Sequence, residues 1–416
     1  MKIVLINSLY APNVVGGAER VVQSLAEELA VAGHEPVMIS LSPDRTATVR
    51  ELNGVKSHYL GLRNVYWPFH DEPRPKLAKP LWHAIDSYNP RMAADVAEIV
   101  SAERPDVVHT NNLAGFSPLV WTHVKRQKIP VVHTLHDYSL LCPRATMYNG
   151  HSNCVTREWT CALYTWPRAR LARSVDAVVG VSAFVLDRHL AHGAFTDVPV
   201  RRVIHNGYRS PVHSAPRPDR ESSALRIGFM GRLIPTKGIE LLLSVLSTMP
   251  QNGWELWVAG QGAQEYVAGL QSHYQGVPAR YVGFTDPEAF LSQVDVLVVP
   301  SIWHEPMGLV VIEALAHGVP VIGSNRGGIT ELIDHGRTGL LFDPDEASSL
   351  RTALDRFMSE PGLASGMRRD CLERAKHFSP VGVMRQHEAV YGTVCQSVAS
   401  NADTPARSRA ATARTP

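Results

Sequence analysis

The fold is decided by the stretch from Ser301 to Ile322, which reads S-I-W-H-E-P-M-G-L-V-V-I-E-A-L-A-H-G-V-P-V-I. An apolar run from Asp295 to Pro300 precedes it and is typical of a buried strand. The helix formers of Leu309 to Ala316 predict a short helix, and Pro320 to Gly323 predict a second buried strand. The stretch therefore predicts a strand, loop, helix and strand, the repeating unit of a parallel α/β fold.

Two carboxylates are spaced along this unit, Glu305 in the loop and Glu313 on the helix. Positions eight apart are separated by about two helical turns, so both side chains can face one crevice at the carboxyl edge of the sheet. The backbone N–H groups of Gly308 and Leu309 open the helix there and can bind a phosphate. Carboxylates suit sugar hydroxyls, so the pattern indicates a nucleotide-sugar site. The alternative is two solvated glutamates beside an ordinary helix.

Composition excludes several classes of protein. The chain has 416 residues, of which 44% are hydrophobic and 19% charged, and this predicts two soluble domains of ordinary size. A formal net charge of +2 is too small to indicate nucleic-acid binding. No apolar run reaches the roughly 20 residues of a membrane span, and the amino terminus has no signal pattern, so we expect a cytoplasmic protein.

The five cysteines do not predict a disulfide framework, because their number is odd and the chain lacks a signal pattern. Cys142, Cys154 and Cys161 cluster in one segment. A metal site, oxidative pairing and ordinary reduced thiols stay open, and reduced thiols are the favoured interpretation because free cysteine commonly packs as a small hydrophobe.

The amino-terminal half begins like a doubly wound domain. Lys2 to Ser8 forms an apolar strand, Gly16 and Gly17 form a glycine loop, and apolar residues then recur at helical spacing from Val21. Adjacent glycines allow close approach of a ligand to the backbone, although a tight turn explains them equally well when taken alone.

Histidines follow the strands of this half. The strand Val131 to Leu135 runs into His136 and Asp137, and His109 ends the preceding predicted strand. Because the carboxyl ends of parallel strands face the crevice, His136 is a candidate site residue and Asp137 its neighbour. His133 lies within the strand and is predicted to be a core histidine.

An aromatic and basic segment, from Leu60 to Asn89, contains Trp67 and Trp82. Its prolines argue against a long helix. Two interpretations are open, a lip that meets the acceptor or a membrane surface, and a packed irregular loop.

A proline-rich, polar stretch divides the chain. The predicted organisation is an N-terminal Rossmann-like acceptor domain at 1–208, a linker at 209–224, a C-terminal Rossmann-like donor domain at 225–376, a crossover helix at 377–398 and a disordered tail at 399–416.

Two cations open the second domain. Arg232 and Lys237 follow its first strand, and this spacing allows them to lie on either side of a diphosphate, although two surface charges are the alternative. Gly283 and Phe284 end a later strand and predict a rim for a nucleobase.

The motifs resemble, in order, those of retaining family 4 glycosyltransferases with the GT-B fold, in which two Rossmann-like doubly wound domains face each other across a cleft. They are G-G-A-E at 16–19, H-D at 136–137, N-G at 206–207, G-R-x-x-x-x-K-G at 231–238 and E-x7-E at 305–313. The resemblance covers about residues 1 to 398. The run H-D-Y-S-L-L-C-P-R at 136–144 is similar to a bacterial subgroup that acts in surface-polysaccharide assembly.

The resemblance implies a role for each matching residue. The implied catalytic residues are His136, Arg232, Lys237 and Glu305. The implied donor-binding residues are Gly16, Gly17, Gly231, Gly283, Phe284, Met307, Gly308, Leu309 and Glu313. On the acceptor side are His109, Asn111, Asp137 and Tyr138. His304, where the family commonly has an acidic or small residue, leaves the donor sugar open.

The resemblance also implies the partners. We expect a nucleotide-sugar donor, a glycan or lipid-linked acceptor, peripheral contact with the inner face of the plasma membrane, and no nucleic acid. We expect no cofactor and no metal, because Arg232, Lys237 and helix dipoles can stabilise the leaving diphosphate. The alternatives are a non-catalytic GT-B partner protein and another GT-B enzyme, such as a sugar-nucleotide epimerase or a phosphorylase.

Overall fold

Two sheets organise the chain in a computed structural model that describes residues 1–13, 16–69, 75, 77–209 and 224–402. The described strands of the first half are β1 Lys2–Ile6, β2 Glu35–Ser42, β3 Thr48–Leu52, β4 Val55–Gly61, β5 Val107–Thr110, β6 Val131–Leu135, β7 Ala177–Gly180 and β8 Val200–Val203. They form an eight-stranded sheet in the order β3-β4-β2-β1-β5-β6-β7-β8, in which β3 is antiparallel to β4 and all other pairs are parallel.

Helices connect these strands. They are α1 Gly17–Val31, α2 Ala78–Ser87, α3 Pro90–Glu103, α4 Leu119–Arg126, α5 Trp159–Leu171 and α6 Ala183–Ala191. The central strands β1, β5, β6 and β7 are rich in valine, isoleucine and leucine and are buried along nearly their whole length. Strands covered by helices on both faces of a parallel sheet have this composition.

The second half repeats this plan with a fully parallel sheet. Its described strands are β9 Leu225–Met230, β10 Trp254–Ala259, β11 Ala279–Gly283, β12 Val296–Val299, β13 Val321–Ser324 and β14 Gly339–Phe342, in the order β11-β10-β9-β12-β13-β14. Its helices are α7 Ile239–Ser247, α8 Gln264–His273, α9 Pro287–Leu291, α10 Leu309–Ala316, α11 Ala347–Ser359, α12 Leu363–Ala375 and α13 Pro380–Ala402. The strand, loop, helix and strand unit predicted from Ser301–Ile322 is confirmed, and α10 has the predicted bounds.

The last helix completes the core of the first half. Met384, Tyr391 and Val394 of α13 are buried in one apolar cluster with Val22 and Leu29 of α1. The predicted crossover helix is therefore confirmed, and its burial ties the end of the chain to its beginning.

One expectation is wrong, and another lies largely outside the described residues. The predicted disordered tail begins too early, because residues 399–402 belong to α13; residues 403–416 lie outside the described part of the chain. Of the predicted linker 209–224, residues 210–223 also lie outside it. His136 follows the sixth strand in the chain, because β3 and β4, which the sequence interpretation missed, come before it.

The two tryptophans of the aromatic segment pack against other parts of the chain, and the lip considered for this segment stays a prediction. Trp82 is buried on α2, its indole N–H donating to the Tyr66 carbonyl at 3.1 Å, and Trp67 packs against the apolar core. Part of this segment, residues 70–74 and 76, lies outside the described residues.

A membrane-crossing helix is not found in the described residues, since none of their helices is both long enough and apolar enough.

Candidate active site

The loop before α10 is shaped by two glycines from a neighbouring segment. A Cβ atom on Gly327 would lie 2.4 Å from the Glu305 carbonyl oxygen, and one on Gly328 would lie 2.4 Å from that of Pro306. The N–H of Gly328 donates to the Glu305 carbonyl at 2.8 Å. Only glycine permits this approach, so the pair fixes the backbone that carries Glu305.

Glu305 lies in a buried ion pair. Its carboxylate is 2.7 Å from the Lys237 ammonium and also accepts a hydrogen bond from the Ser301 hydroxyl. Burial acts to raise the pKa of Glu305, but the Lys237 charge and the hydrogen bonds from Lys237 and Ser301 outweigh it, so the pKa lies below its ordinary value. Glu305 is therefore ionised at neutral pH.

Lys237 reaches this carboxylate because of a close backbone contact. Gly238 has a φ of +73°, and a Cβ atom there would lie 1.8 Å from the carbonyl oxygen of Pro300 at the end of β12. The Ile302 N–H donates to Thr236 at 3.0 Å, which joins the two loops. Arg232, from the same turn, has an exposed side chain. The structure thus brings Lys237 to Glu305 and leaves Arg232 facing solvent.

Glu313 lies in a different environment on α10. It is 7% exposed, and burial raises its pKa to about 7, although the cation of Arg20 lowers it in part and Asp286 raises it further. Arg20 belongs to α1 of the first half, so the charge on Glu313 depends on both halves of the chain.

Glu313 lines an open cavity of about 350 Å³ between the two halves. The walls are Arg20, Val21, Gln23, Ser24 and Glu27 of α1, the segment Gly207, Tyr208 and Arg209, and Asp286, Pro287, Leu309 and Glu313 of the second half. Gly283 and Phe284 come just before Asp286 and Pro287 in the chain, and the Phe284 side chain is 69% exposed. The nucleobase rim predicted there stays a prediction.

The glycine loop of the first half faces the amino end of α10. A Cβ atom on Gly17 would lie 3.2 Å from the Leu309 side chain. The neighbouring Gly16 donates its N–H to Glu19 at 2.7 Å. Gly308 begins α10 with a φ of +102°. The predicted donor-binding glycines from both halves are therefore brought together.

The first half also holds the loop before α10 through its backbone carbonyls. The Tyr138 hydroxyl donates to the His304 carbonyl at 2.8 Å, and Ser182 donates to that of Pro306. Asn153 donates to the Ile302 carbonyl at 2.9 Å, and Met307 Sδ accepts from the Asn206 N–H at 3.2 Å. The loop is thus clamped between the halves.

His136 lies at the end of β6, where the sequence predicted it. Its Nε2 is 2.9 Å from Asn111 Oδ1, and since a carbonyl oxygen can only accept, Nε2 carries the proton. Burial lowers the pKa of His136 to about 4. The ring is therefore neutral at pH 7, with Nδ1 as its basic nitrogen.

The remaining acceptor-side candidates are held inside the protein. His109 is fully buried, and its nitrogens are 2.7 Å from the Tyr391 hydroxyl and 2.7 Å from that of Thr134. The Asp137 carboxylate accepts from the Ser139 N–H at 2.7 Å, and burial raises its pKa. Their contact with an acceptor stays a prediction. His133 is confirmed as a core histidine, hydrogen-bonded to Thr110.

Several residues at the interface were missed by sequence reasoning. Glu331 accepts from the N–H groups of Ala183 and Phe184, each at 2.8 Å, at the start of α6. Its carboxylate is also 3.1 Å from His205. A carboxylate at a helix amino terminus is a recognisable signal only when both partners are known, and here they are about 150 residues apart in the chain.

Within the described residues none of the five cysteines forms a disulfide, and three of them lie close together. Cys142, Cys154 and Cys161 line a cavity of about 180 Å³. Within the described residues, no group of three or more histidine, cysteine or acidic side chains is arranged to hold a metal ion.

Family comparisons match both halves. The family described as "Glycosyl transferase 4-like domain" matches residues 16–207, and the family described as "Glycosyl transferases group 1" matches residues 217–378. An uncharacterized 42.6 kDa protein in the cps region of Klebsiella pneumoniae is 34% identical over 332 residues, covering 80% of this chain and 87% of its own. A glycogen synthase of Mycobacterium tuberculosis is 27% identical over 390 residues, covering 90% of each chain.

Solved structures show the same fold. The sucrose-phosphate synthase of Thermosynechococcus elongatus superimposes with a TM-score of 0.75 at 24% identity, covering 95% of this chain and 99% of its own. HepE of Anabaena, in complex with UDP and glucose, superimposes with a TM-score of 0.67 at 18% identity, covering 94% and 100%. With both halves matched and two facing parallel-sheet α/β domains of GT-B type, the chain belongs to the group 1 glycosyltransferases.

Proposed function

We propose that this chain transfers a sugar, with retention of anomeric configuration, from a nucleotide-sugar donor to a glycan or lipid-linked acceptor in the synthesis of cell-surface polysaccharide. The observation that carries the proposal is the placement of the Lys237–Glu305 pair and of Glu313 around the amino end of α10, facing the glycine loop of the first half. A helix amino terminus and an adjacent cation suit a diphosphate, and the carboxylates suit the hydroxyls on either side of it.

The relatives support this substrate class. HepE of Anabaena binds UDP and glucose in its crystal structure, and the Klebsiella relative is a protein in a cps region. We infer that the cavity beside Glu313 takes the ribose, and that the sugar lies towards Glu305 and His136.

In the proposed reaction, the bond between the anomeric carbon and the diphosphate breaks while the acceptor hydroxyl oxygen attacks from the same face. The acceptor proton passes to the departing phosphate oxygen. Lys237, Arg232 and the N–H groups of Gly308 and Leu309 stabilise the leaving charge without a metal. The carboxylate that follows His136 in the chain, that of Asp137, accepts a hydrogen bond from the Ser139 N–H, and we assign it no nucleophilic role.

We assign His136 to the reacting face. As a neutral ring with Nδ1 as its acceptor, it can take a hydrogen bond from a sugar or acceptor hydroxyl. Replacing it by alanine should reduce sugar transfer more than donor binding. An equal loss of both would assign His136 a structural role.

A thermal-shift panel of UDP-, GDP-, ADP- and dTDP-sugars, each with and without a chelator, tests the proposal first. Ligand well above its dissociation constant should stabilise the chain by about 2–4 kcal/mol. Stabilisation by one base that survives the chelator supports metal-free chemistry. NMR of the anomeric configuration in the product then tests retention, and an inverted product or a trapped sugar on a side chain would contradict the mechanism.

The main alternative is a non-catalytic partner, which would show no stabilisation by any donor. If no nucleotide sugar of the panel stabilises the chain, with or without a glycan acceptor, the result favours that alternative. A donor whose sugar is epimerised in the absence of an acceptor would instead favour an epimerase.

A further inference from the structure

Large apolar side chains are exposed along one face of α5. Trp159 is 78% exposed, Leu163 is 68% exposed and Trp166 is 59% exposed. Their spacing of four and three residues places them on a single stripe of the helix, and Arg170 continues it four residues later. Tryptophan is seldom this exposed unless a partner covers that surface. The free energy gained by burying its large ring is several times that gained by burying a small side chain.

A second stripe of the same kind lies on α2. Leu77, at its amino end, is 85% exposed, Leu81 is 53% exposed, and Tyr88 at its carboxyl end is 58% exposed. Leu77 and Leu81 are four residues apart and share one helix face, and Tyr88 follows the last residue of α2.

Buried polar contacts fasten the two helices side by side. The Arg168 guanidinium on α5 pairs with the Asp86 carboxylate on α2 at 2.9 Å, and both side chains are 5% exposed. The Ser87 hydroxyl donates to the Tyr164 carbonyl at 2.9 Å. These contacts hold the helices in one arrangement, and we call the exposed stripes together the α2–α5 face.

The exposed charges on this face are mainly positive. Lys79 and Arg170 are exposed, and the Arg170 guanidinium lies 5.0 Å from the centre of the Trp166 ring. Neither helix has an exposed carboxylate, since Asp86 is buried by Arg168; Glu158 is exposed just before α5 begins. A helix face that combines tryptophan and leucine with arginine and lysine suits the boundary between lipid headgroups and acyl chains.

We propose that the α2–α5 face binds the surface of an anionic lipid bilayer. The inference rests on the proposed function in one respect, that a lipid-linked acceptor would be presented at such a surface. A second copy of this chain fits less well, because a self-complementary contact would bring Lys79 and Arg170 against their own kind without facing carboxylates.

The α2–α5 face is connected to the candidate active site. The Arg168 guanidinium donates to the Ser139 carbonyl at 2.7 Å, three residues after His136. Tyr138, between them, reaches the loop of Glu305 through its hydroxyl. Docking through α5 would therefore place the bilayer beside the strand end that carries His136, where a lipid-linked acceptor needs to arrive.

Sedimentation of the full chain with vesicles tests the inference. Vesicles of phosphatidylglycerol and phosphatidylcholine should bind the parent chain, and phosphatidylcholine alone should bind it at least about tenfold more weakly, because one basic residue near an anionic surface contributes about 1 kcal/mol. Trp159→Ala combined with Trp166→Ala should reduce binding to the anionic vesicles at least tenfold. Lys79→Gln with Arg170→Gln should remove the preference for anionic lipid.

Matched controls keep the test specific. Val31→Ser with Val49→Ser removes exposed apolar groups elsewhere, and Arg337→Gln with Arg369→Gln removes two other cations; both should bind like the parent chain. Thermal unfolding of each variant must match that of the parent, so that a loss of binding is not a loss of fold.

Three outcomes overturn the inference. The first is a parent chain that fails to sediment with anionic vesicles, and the second is a tryptophan variant that binds as well as the parent. The third is a parent dimer in equilibrium centrifugation that the tryptophan variant converts into monomers, which would assign the face to a second copy. Donor stabilisation is measured on the same samples, so a chain that binds vesicles but no donor keeps this inference and contradicts only the proposed function.

Discussion

Glu305 and Glu313 belong to one motif, but the regions around them have opposite effects on their pKa. Glu305 lies in a loop where a lysine and a serine from its own half surround the carboxylate, and its pKa falls below the ordinary value. Glu313 lies on the adjoining helix beside the open cavity. Burial has the largest effect on its carboxyl group there and raises the pKa to about 7. Spacing places both carboxylates, but their neighbours decide which one is charged.

Because of this difference, we expect the two residues to have different roles in the proposed reaction. A carboxylate already neutralised by Lys237 is oriented before any ligand arrives, which suits a rigid contact near the reacting sugar. A carboxyl group that titrates near neutral pH can become ionised when a ligand offers hydroxyl donors, which suits the edge of the cavity. Substitutions at five positions test this contrast.

The largest effect is expected at Lys237. Lys237→Ala leaves the Glu305 carboxylate buried without its cation, which should cost roughly 3–5 kcal/mol of unfolding free energy. Turnover should fall at least about a hundredfold, because one charge-stabilising group is worth about 2.7–4 kcal/mol of barrier. Chemical denaturation and initial rates measure the two effects.

Glu305→Gln and the double variant complete a cycle with Lys237→Ala. If the two side chains act as a pair, the double variant should lose clearly less stability than the sum of the single losses. Additive losses would show that the pair has no coupling and would remove the contrast with Glu313.

The next effect concerns Glu313 and depends on pH. In the unfolded chain this group titrates near 4.5, and in the folded chain near 7, so the folded state holds the proton more tightly. The free energy of unfolding of the parent should therefore fall as pH rises from about 4.5 to about 7, by up to about 3 kcal/mol. Glu313→Gln should lack this part of the decline, which denaturation curves between pH 4 and pH 8 would reveal.

The control for that experiment is Glu346→Gln, since Glu346 is an exposed residue at the start of α11. Its pH profile should follow that of the parent. A Glu313→Gln profile that also follows the parent would mean that Glu313 is ionised at neutral pH like its partner in the motif.

A smaller effect is expected at Ser301. Its hydroxyl donates to the Glu305 carboxylate in a fully buried position, so Ser301→Ala should cost about 1.5 kcal/mol and should raise the pKa of Glu305. Ser247→Ala, which removes an exposed hydroxyl, should cost less than about 0.5 kcal/mol. Equal costs for the two serines would contradict the hydrogen-bond account of Glu305.

The smallest effect is expected at Arg20. This exposed cation lowers the pKa of Glu313 across the cleft, so Arg20→Gln should move the midpoint of the Glu313 titration to higher pH. The change in stability should be only a few tenths of a kcal/mol, because solvent screens the charge. The titration can be followed by the pH dependence of unfolding, with Arg369→Gln as the control, and an unchanged midpoint would mean that the two halves are not coupled at this point.

Local patterns predicted the unit around Glu305 and Glu313 well. The helix Leu309–Ala316 and the strands on either side of it depend on runs of apolar residues and on turn residues that lie within about 25 positions. The glycine loop before α1 and the histidine at the end of β6 follow from the same kind of pattern.

Elements without such patterns were missed. Strand β3, Thr48–Leu52, lies at the edge of its sheet and is almost entirely exposed, so it has no apolar alternation to recognise. Helix α2 contains Pro80 in its first turn, where proline is tolerated, and the sequence interpretation took the prolines of this segment only as evidence against a long helix. On α5 the exposed stripe consists of tryptophan and leucine, whereas the exposed face of an amphipathic helix is usually polar.

The sequence by itself determined the two-sheet plan, the family and the spacing of the two glutamates, because strand and helix periods and close glycine turns are local properties. Tertiary structure alone decided that Lys237 neutralises Glu305, that Arg20 faces Glu313, and that α2 and α5 pack side by side. Burial and charge depend on atoms that are far apart in the chain but close in space. The spacing of residues along the sequence does not give the distances between those atoms.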